Sequence, residues 1–204
     1  MSVLFAALIV GLVATSLVRP DVKTFVPTPP RPVEVGERSV GPILYTVDAR
    51  SAADWVYFDF SRGAVVDVSD RHSLDWDIAF KRHRMITNGG VTNESGQGRV
   101  LTLARVGADV PTDLPEEGWV ADEGAGDEPR NRALEGWYDY NFLSHILEPA
   151  ERDFAIHTAD GKVAIVHFLS YYCPGARSGC ITFRYWYRGE GRAGQHGREI
   201  ERPT

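Results

Sequence analysis

Short runs of aromatic and β-branched residues recur along this chain between residues 45 and 187. Clusters of Gly, Asp, Asn and Pro separate the runs, and this arrangement is typical of strands joined by turns. The runs at 55–60 and 64–68 flank Ser61-Arg62-Gly63, so they are predicted to form a hairpin. Further strand-like runs lie at 76–80, 84–87, 100–104, 154–158, 163–169 and 181–187. The pattern predicts a mainly β fold, a single antiparallel β-rich domain of about eight strands.

The run at 76–80 carries the clearest alternation. Trp76, Ile78 and Phe80 are predicted to lie on one buried face, whereas Asp77 would face solvent or pair across strands. Farther along, Asn88-Gly89-Gly90 contains glycines that permit positive φ, which predicts a chain reversal.

Two stretches depart from the strand pattern. Residues 111–130 are acidic and rich in Gly and Pro, and a loop of about 20 residues is longer than compact domains usually contain without a purpose. A ligand flap, a partner contact and a mobile insertion all fit this loop. Residues 141–146 precede Pro149 and are predicted to add a helical turn.

The first eighteen residues, Met1 to Val18, contain no charged side chain. A signal peptide cleaved near Ala14-Thr15-Ser16 and a retained transmembrane helix both fit such a stretch. No basic residue precedes the apolar run, which favours the retained helix because signal peptides begin with a basic region. Five prolines then predict an extended linker, which would act as a spacer or lie along a neighbouring protein. The predicted organisation is a transmembrane anchor over 1–18, the proline-rich linker over 19–44, the β domain over 45–188 and a polar tail over 189–204.

The net charge and the two cysteines indicate which partners and which cellular compartment suit this chain. The net charge of -6 and the pI near 5.5 argue against a nucleic-acid partner. Cys173 and Cys180 flank a turn-rich segment between two strand-like runs, and a disulfide there would close a hairpin in an oxidising compartment. Two free thiols are the alternative, and no second ligand pair lies at the spacing of a zinc site, so no metal site is predicted. With the anchor, the disulfide predicts a single-pass protein of a bacterial inner membrane with a periplasmic domain.

Three sequence blocks occur in a fixed order: YFDFSRG at 57–63, WDIAFKR at 76–82 and TNGG at 87–90. Two further blocks follow, ADGKVA at 159–164 and ITFRY at 181–185. Together they resemble the HmuY-like family of bacterial exported haem-binding proteins, and the resemblance covers roughly residues 45–188.

The resemblance implies haem as a cofactor, bound by two side chains, often histidines, that approach the iron from opposite sides. The chain contains six histidines, namely His72, His83, His145, His157, His167 and His196. His145 and His157 lie between the motif blocks, where the resemblance implies the axial ligands, so they are the candidate haem ligands.

Enzyme motifs are absent from the sequence, which has no Gly-x-Ser-x-Gly, P-loop, His-Glu-x-x-His or Cys-x-x-Cys pattern. The chain is therefore predicted not to be an enzyme. The retained anchor and the linker favour an accessory subunit of a larger membrane complex, such as a photosynthetic reaction centre with its antenna. Such a subunit would cap the periplasmic face, and its partners would be other membrane subunits and the bilayer, reached through residues 1–18. In this interpretation no cofactor is firmly implied.

The alternative function is a membrane-tethered haem- or tetrapyrrole-binding protein. Aromatic side chains that would stack on a macrocycle are Trp55, Tyr57, Trp137, Tyr138 and Tyr140.

Overall fold

The structure is a computed structural model that describes residues 21–29, 42–106, 111, 113–124 and 128–188. The predicted anchor over 1–18, most of the predicted linker and the predicted tail over 189–204 lie outside these residues. Within the described ranges, no helix is long and apolar enough to cross a membrane.

Antiparallel strands dominate the described part of the chain, which contains one short helix. The strands are β1 (Ile43–Asp48), β2 (Val56–Asp59), β3 (Ala64–Val66), β4 (Ile78–Lys81), β5 (Arg84–Thr87), β6 (Arg99–Ala104), β7 (Tyr138–Asn141), β8 (Ile146–Pro149), β9 (Arg152–His157), β10 (Val163–Cys173) and β11 (Arg177–Arg188), and the helix is α1 (Arg132–Glu135). They form a five-stranded sheet in the order β1-β11-β10-β9-β6, a four-stranded sheet in the order β3-β2-β4-β5 and the hairpin β7-β8. The predicted mainly β, antiparallel fold is confirmed.

The main core lies between the five-stranded and the four-stranded sheets. The ring of Phe183 on β11 lies 5.4 Å from that of Phe58 on β2 and 5.6 Å from that of Phe80 on β4, measured between ring centroids. All three side chains are buried. Aromatic side chains bury the largest apolar areas, so these contacts hold the two sheets together.

Sequence alternation predicted β2 to β6 and β9 to β11, including the hairpin between β2 and β3. The turn predicted over 141–146 is present, because the N–H of His145 donates to the carbonyl of Asn141 at 2.8 Å, but it forms the tip of the β7-β8 hairpin, in which Asn141 pairs with Ile146. The short helix α1 begins earlier, where the Asn131 side chain accepts hydrogen bonds from the N–H groups of Ala133 and Leu134. An Asn at this position satisfies main-chain donors that the helix leaves unpaired.

The segment around Trp76 differs from the prediction. Because β4 begins only at Ile78, Trp76 does not share a face with Ile78 and Phe80, which lie in the main core. Trp76 instead packs in a smaller cluster with Ala79 and Ile86.

The prediction that Asp77 faces solvent or pairs across strands is also wrong, because its side chain is only 3% exposed. One carboxylate oxygen accepts a hydrogen bond from the N–H of Phe60 at 2.8 Å, and the other accepts one from the N–H of Ala159 at 2.9 Å. Phe60 follows β2 and Ala159 lies between β9 and β10, so this carboxylate connects the two large sheets. Buried carboxylates are normally hydrogen-bonded in this way.

The chain reversal predicted at Asn88-Gly89-Gly90 is confirmed. Gly90 has a φ of +57°, a conformation that favours glycine. A Cβ atom on Gly89 would lie 2.1 Å from the carbonyl oxygen of Gly98, so only glycine fits at this position.

The long connection between β6 and α1 is held by a buried carboxylate. Asp122 accepts hydrogen bonds from the N–H and hydroxyl of Thr87, from the hydroxyl of Thr92 and from the amide of Asn131. Burial raises the pKa of Asp122, and these hydrogen bonds oppose that rise. The connection is therefore fixed to β5 in its described part.

Residues 21–29 form a strap along the edge of the domain. Within the strap, the N–H of Phe25 donates to the carbonyl of Tyr172 at 3.1 Å, and the N–H of Thr28 donates to the carbonyl of Thr46 at 2.9 Å. A cavity of about 280 Å³ lies between the strap, β8 and β10.

A disulfide joins Cys173 at the end of β10 to Cys180 on β11, with an S–S distance of 2.05 Å. The predicted disulfide is confirmed, and it closes the hairpin between the two longest strands.

Candidate functional site

The two histidines predicted as haem ligands lie near opposite ends of β10. His157 pairs with Val163 at the start of that strand, whereas Leu147, two residues after His145, donates its N–H to the Tyr172 hydroxyl near the other end. Nine residues of strand span on the order of 30 Å. The structure therefore does not bring His145 and His157 together, and iron ligation by this pair stays a prediction.

His145 lies at the tip of the β7-β8 hairpin, which is the most exposed apolar feature of the described chain. Phe142 is 82% exposed and Leu143 is 97% exposed. The Asn141 side chain accepts hydrogen bonds from the N–H groups of Leu143 and Ser144, and this bonding shapes the tip. His145 itself has a φ of +56°, which is rare for a residue other than glycine and costs free energy.

The imidazole of His145 is oriented by its neighbour on β7. Its Nδ1 atom is hydrogen-bonded to the hydroxyl of Tyr140. When Nδ1 carries the proton, Nε2 keeps its lone pair, as a nitrogen that binds a metal requires. Tyr140 and Tyr138 are two residues apart on β7, so their side chains lie on the same side of the hairpin.

A further histidine, His83, lies beside this hairpin and was not predicted as a ligand. It occupies the turn between β4 and β5, and its carbonyl accepts a hydrogen bond from the Trp137 indole at 2.9 Å. The His83 ring lies 5.8 Å from that of Tyr138 and 6.5 Å from that of Tyr171, between centroids. Burial, with Arg82 and Arg84 nearby, lowers the pKa of His83, so the ring is neutral near pH 7.

We call the surface formed by His83, Tyr138, Tyr140, Phe142, Leu143 and His145 the hairpin face. Next to it lies a cavity of about 310 Å³, whose lining includes His83, Met85, Leu134 and Tyr138. Arg84 and Arg130 also line this cavity, and both form salt bridges with glutamates. One feature of the sequence indicates the location of His83: it lies between two strand-like runs, at 76–80 and 84–87, and is therefore expected in a tight turn.

The five aromatic residues predicted to stack on a macrocycle do not form one surface. Trp137 is 1% exposed and belongs to the main core. Trp55 and Tyr57 pack in the smaller cluster around Trp76. Only Tyr138 and Tyr140 lie on the hairpin face. The other three could not be told apart from them in the sequence, because strand alternation does not show which side of a sheet is covered by other elements.

Two other described histidines are engaged in local interactions. His72 is exposed and hydrogen-bonded to Asp70. His167 is 8% exposed, and its two ring nitrogens are hydrogen-bonded to Asp153 and Arg105, so neither nitrogen is open to a metal. His196 lies outside the described residues.

His157 lies at the end of β9 with its ring 4.2 Å from the ring of Trp119, between centroids. Its Nδ1 atom is buried and has no hydrogen-bond partner among the described residues. Burial, together with the charge of Arg99, lowers the pKa of His157.

The fold and the hairpin face define a disulfide-closed, antiparallel β protein that exposes apolar side chains beside a histidine. The chain belongs to the HmuY family, because a family model described as HmuY protein matches residues 51–185. None of the curated proteins matches the chain.

Solved structures share this fold. The apo HmuY analog of Tannerella forsythia superposes with a TM-score of 0.61 at 17% identity and covers 72% of this chain and 96% of its own. A Bacteroides vulgatus protein described as HmuY-like and haem-binding gives a TM-score of 0.60 at 20% identity, over 77% of this chain and 100% of its own. A Bacteroides fragilis protein described as a lipoprotein gives a TM-score of 0.56 at 20% identity, over 72% of this chain and 89% of its own.

These findings correct the main functional prediction. The accessory subunit of a membrane complex, such as a photosynthetic reaction centre, is wrong, because the domain belongs to a family whose solved members include a protein described as haem-binding. The apolar residues 1–18 and the linker favoured the subunit, whereas the β domain, which makes up most of the chain, determines the family.

Proposed function

We propose that this domain is an exported, non-catalytic protein that binds haem or a closely related tetrapyrrole at the hairpin face. The observation that carries the proposal is the exposure of Phe142 and Leu143 beside His145. Apolar side chains that are contiguous and this exposed are costly in water and commonly mark a binding surface. Membership of the HmuY family supports a tetrapyrrole as the apolar ligand.

Each part of the hairpin face has a role in the proposal. His145 would bind the iron through Nε2, with Tyr140 holding the ring in place through Nδ1. Phe142 and Leu143 would cover the macrocycle and exclude water from it. Haem iron supplies a coordination site for a neutral imidazole, and the hairpin face offers such imidazoles.

His83 is the proposed second nitrogen donor. It contacts Tyr138 on the same hairpin, whereas His157 lies near the far end of β10. The lowered pKa of His83 keeps its imidazole neutral and able to bind a metal.

The disulfide between Cys173 and Cys180 supports a location outside the cytoplasm, because such bonds persist in oxidising compartments. The solved relative described as a lipoprotein supports export as well. Membrane anchoring through residues 1–18 stays a prediction.

The test is titration of the purified protein with haemin, followed by the Soret absorbance. We expect His145→Ala to weaken haemin binding by at least about 10-fold, since it removes a ligand to the metal. Leu143→Ser is expected to weaken haemin binding without changing the ligand field of the iron. His83→Ala is expected to change the ligand field of the iron, because it removes the proposed second nitrogen donor. His72→Ala is the matched control, because His72 is an exposed histidine away from the hairpin face.

His157→Ala separates the proposal from the ligand pair predicted from the sequence. Unchanged haemin binding by this variant supports the hairpin face. Loss of the Soret band in His157→Ala, with His145→Ala unaffected, would place the tetrapyrrole elsewhere and contradict the proposal.

A further inference from the structure

The end of the β7-β8 hairpin has no charged side chain. Residues 140–147, which we call the uncharged tip, contain no Asp, Glu, Lys or Arg, although 25% of all residues in the chain are charged. Three large side chains of this segment are exposed, namely Leu143 to 97%, Phe142 to 82% and Tyr140 to 40%. Two hydrogen bonds accepted by the Asn141 side chain fix the turn that exposes them. The apolar surface is therefore part of a bonded turn.

No other exposed apolar side chains of the described residues are consecutive in sequence. The remaining large ones occur singly, with exposures between 38% and 72%, and they are Val26, Leu44, Val65, Leu74 and Val91. Single exposed apolar side chains are ordinary on soluble proteins, whereas contiguous ones mark a contact surface. Phe142 and Leu143 form such a contiguous pair.

Charge returns at the base of the uncharged tip on both strands. Asp139 on β7 pairs with Glu148 on β8, and both side chains are exposed. Carboxylates stay in water, because moving a charge into an apolar medium is costly. Asp139 lies two residues before Asn141, which corresponds to about 7 Å of strand. These two carboxylates therefore limit the depth to which the tip can leave water to roughly the 5–10 Å that segments at a bilayer surface reach.

The other uncharged apolar segment of the chain, residues 1–18, ends close to this hairpin. Two residues separate it from the strap, so its last residue lies within about 11 Å of Asp21. Asp21 and Val22 line the same cavity as Ile146 and Leu147 of β8. A bilayer that takes up residues 1–18 would therefore lie within reach of the hairpin.

We propose that the uncharged tip contacts the surface of a lipid bilayer, the same bilayer that residues 1–18 would enter. Phe142 and Leu143 lie at its apolar boundary, and Tyr140 lies at the level of the headgroups, where a ring with one polar end is well accommodated. Asp139 and Glu148 remain in water. Because the tip has no Lys or Arg, the contact does not require anionic lipids.

The contact also concerns the source of the ligand, in a part of the inference that rests on the proposed function. Phe142 and Leu143 belong to the hairpin face, so a tetrapyrrole dissolved in the bilayer would meet its binding surface there. Release of the two side chains from lipid and their transfer to the macrocycle exchange one apolar environment for another.

The test places a nitroxide at the tip of the full chain, reconstituted into phosphatidylcholine vesicles. Ser144→Cys accepts the label and keeps Phe142 and Leu143, and both native cysteines are held in the buried disulfide. Ser95→Cys is the matched control, an exposed serine in the loop beyond the end of β5 that is far from His83. Electron paramagnetic resonance then compares collisions of each nitroxide with oxygen, which concentrates in lipid, and with a water-soluble nickel complex.

We expect the ratio of oxygen to nickel collisions to be at least about 3-fold higher at position 144 than at position 95. Phe142→Ser/Leu143→Ser in the chain labelled at position 144 should lower that ratio to the value at position 95. Thermal unfolding of each variant checks that the fold is kept.

Three results would overturn the membrane contact. They are equal ratios at positions 144 and 95, failure of the full chain to associate with the vesicles, and dipolar broadening between nitroxides at position 144, which would show that a second copy covers the tip. Haemin titration of the same chain separates this inference from the proposed function. A nitroxide that stays in water on a chain that binds haemin overturns the membrane contact alone, and a nitroxide in lipid on a chain that binds no haemin overturns the proposed function and leaves the contact standing.

Discussion

Asp77 is a carboxylate held in the protein interior by two main-chain N–H groups, and its acid–base chemistry follows from that position. Burial raises the pKa of Asp77 to about 7, the nearby Asp59 carboxylate adds to the rise, and the two N–H donors oppose it. Loss of water around the charged form therefore outweighs the hydrogen bonds that favour it.

The raised pKa of Asp77 predicts a pH-dependent stability with a definite sign. Between the ordinary aspartate pKa of 3.8 and about 7, the folded protein keeps the Asp77 proton while the unfolded chain releases it. The contribution of Asp77 to the free energy of unfolding should therefore be largest below about pH 4 and fall by on the order of a few kcal/mol as the pH rises to about 7. Urea unfolding of the wild type and of Asp77→Asn at several pH values measures this pH dependence of the free energy of unfolding.

The informative quantity is the difference in stability between the wild type and Asp77→Asn. That difference should shift against the wild type as the pH rises. Asp139→Asn, a change at an exposed carboxylate, gives the baseline. A difference that stays constant with pH, or that moves in favour of the wild type, would show that Asp77 is ionised in the folded protein.

At the scale of elements, the hairpin of β10 and β11 depends on the Cys173–Cys180 disulfide. The bond closes a short loop, over a sequence separation of 7, at the end of the two longest strands. Closing a loop of this size removes chain entropy from the unfolded state and stabilises the fold by about 2–3 kcal/mol. We expect Cys173→Ala/Cys180→Ala to lower the free energy of unfolding by that amount, measured by chemical denaturation.

Reduction of the wild type provides the control for this variant. Dithiothreitol should lower the stability of the wild type to that of the double variant and leave the double variant unchanged. Equal stability of the oxidised and reduced wild type would show that strand pairing alone holds the hairpin.

Local composition was sufficient to predict strands where a glycine-containing turn separates two apolar runs, as between β2 and β3. It failed at Trp76 and Asp77, because their partners Ile86, Phe60 and Ala159 are distant in sequence. It also missed β7 and β8, the two short strands that flank the turn over 141–146.

The candidate site was less predictable than the fold. His145 was singled out through the family resemblance, but its place at an exposed hairpin tip depends on the pairing of β7 with β8. His83 was overlooked because its relation to Tyr138 arises only when the turn after β4 packs against that hairpin.

At the scale of the whole molecule, the strap connects residues 21–29 to two strands of the five-stranded sheet, the edge strand β1 and the inner strand β10. Four hydrogen bonds join it to β10 and β1, through Lys23, Phe25 and Thr28. At a net of about 0.5–1.5 kcal/mol each, they should stabilise the domain by about 2–6 kcal/mol. At about 2–4 °C per kcal/mol for a domain of this size, we expect a variant that starts at residue 30 to melt at least about 4 °C below one that starts at residue 21.

The comparison of these two truncations isolates the strap from everything that precedes it. Haemin binding should be the same in both, because the hairpin face contains no strap residue. Identical melting temperatures would show that the strap rests on the sheet without stabilising it.

The strap also determines how tension would enter the protein. A pull on the chain ahead of residue 21 would be transmitted through Lys23 and Phe25 to Ser170 and Tyr172, near the end of β10. The disulfide at Cys173 would keep that strand from peeling away from β11, so the load would be shared by the two longest strands. The Tyr172 hydroxyl accepts a hydrogen bond from β8, which means that a stretched tether would also strain the hairpin that presents His145.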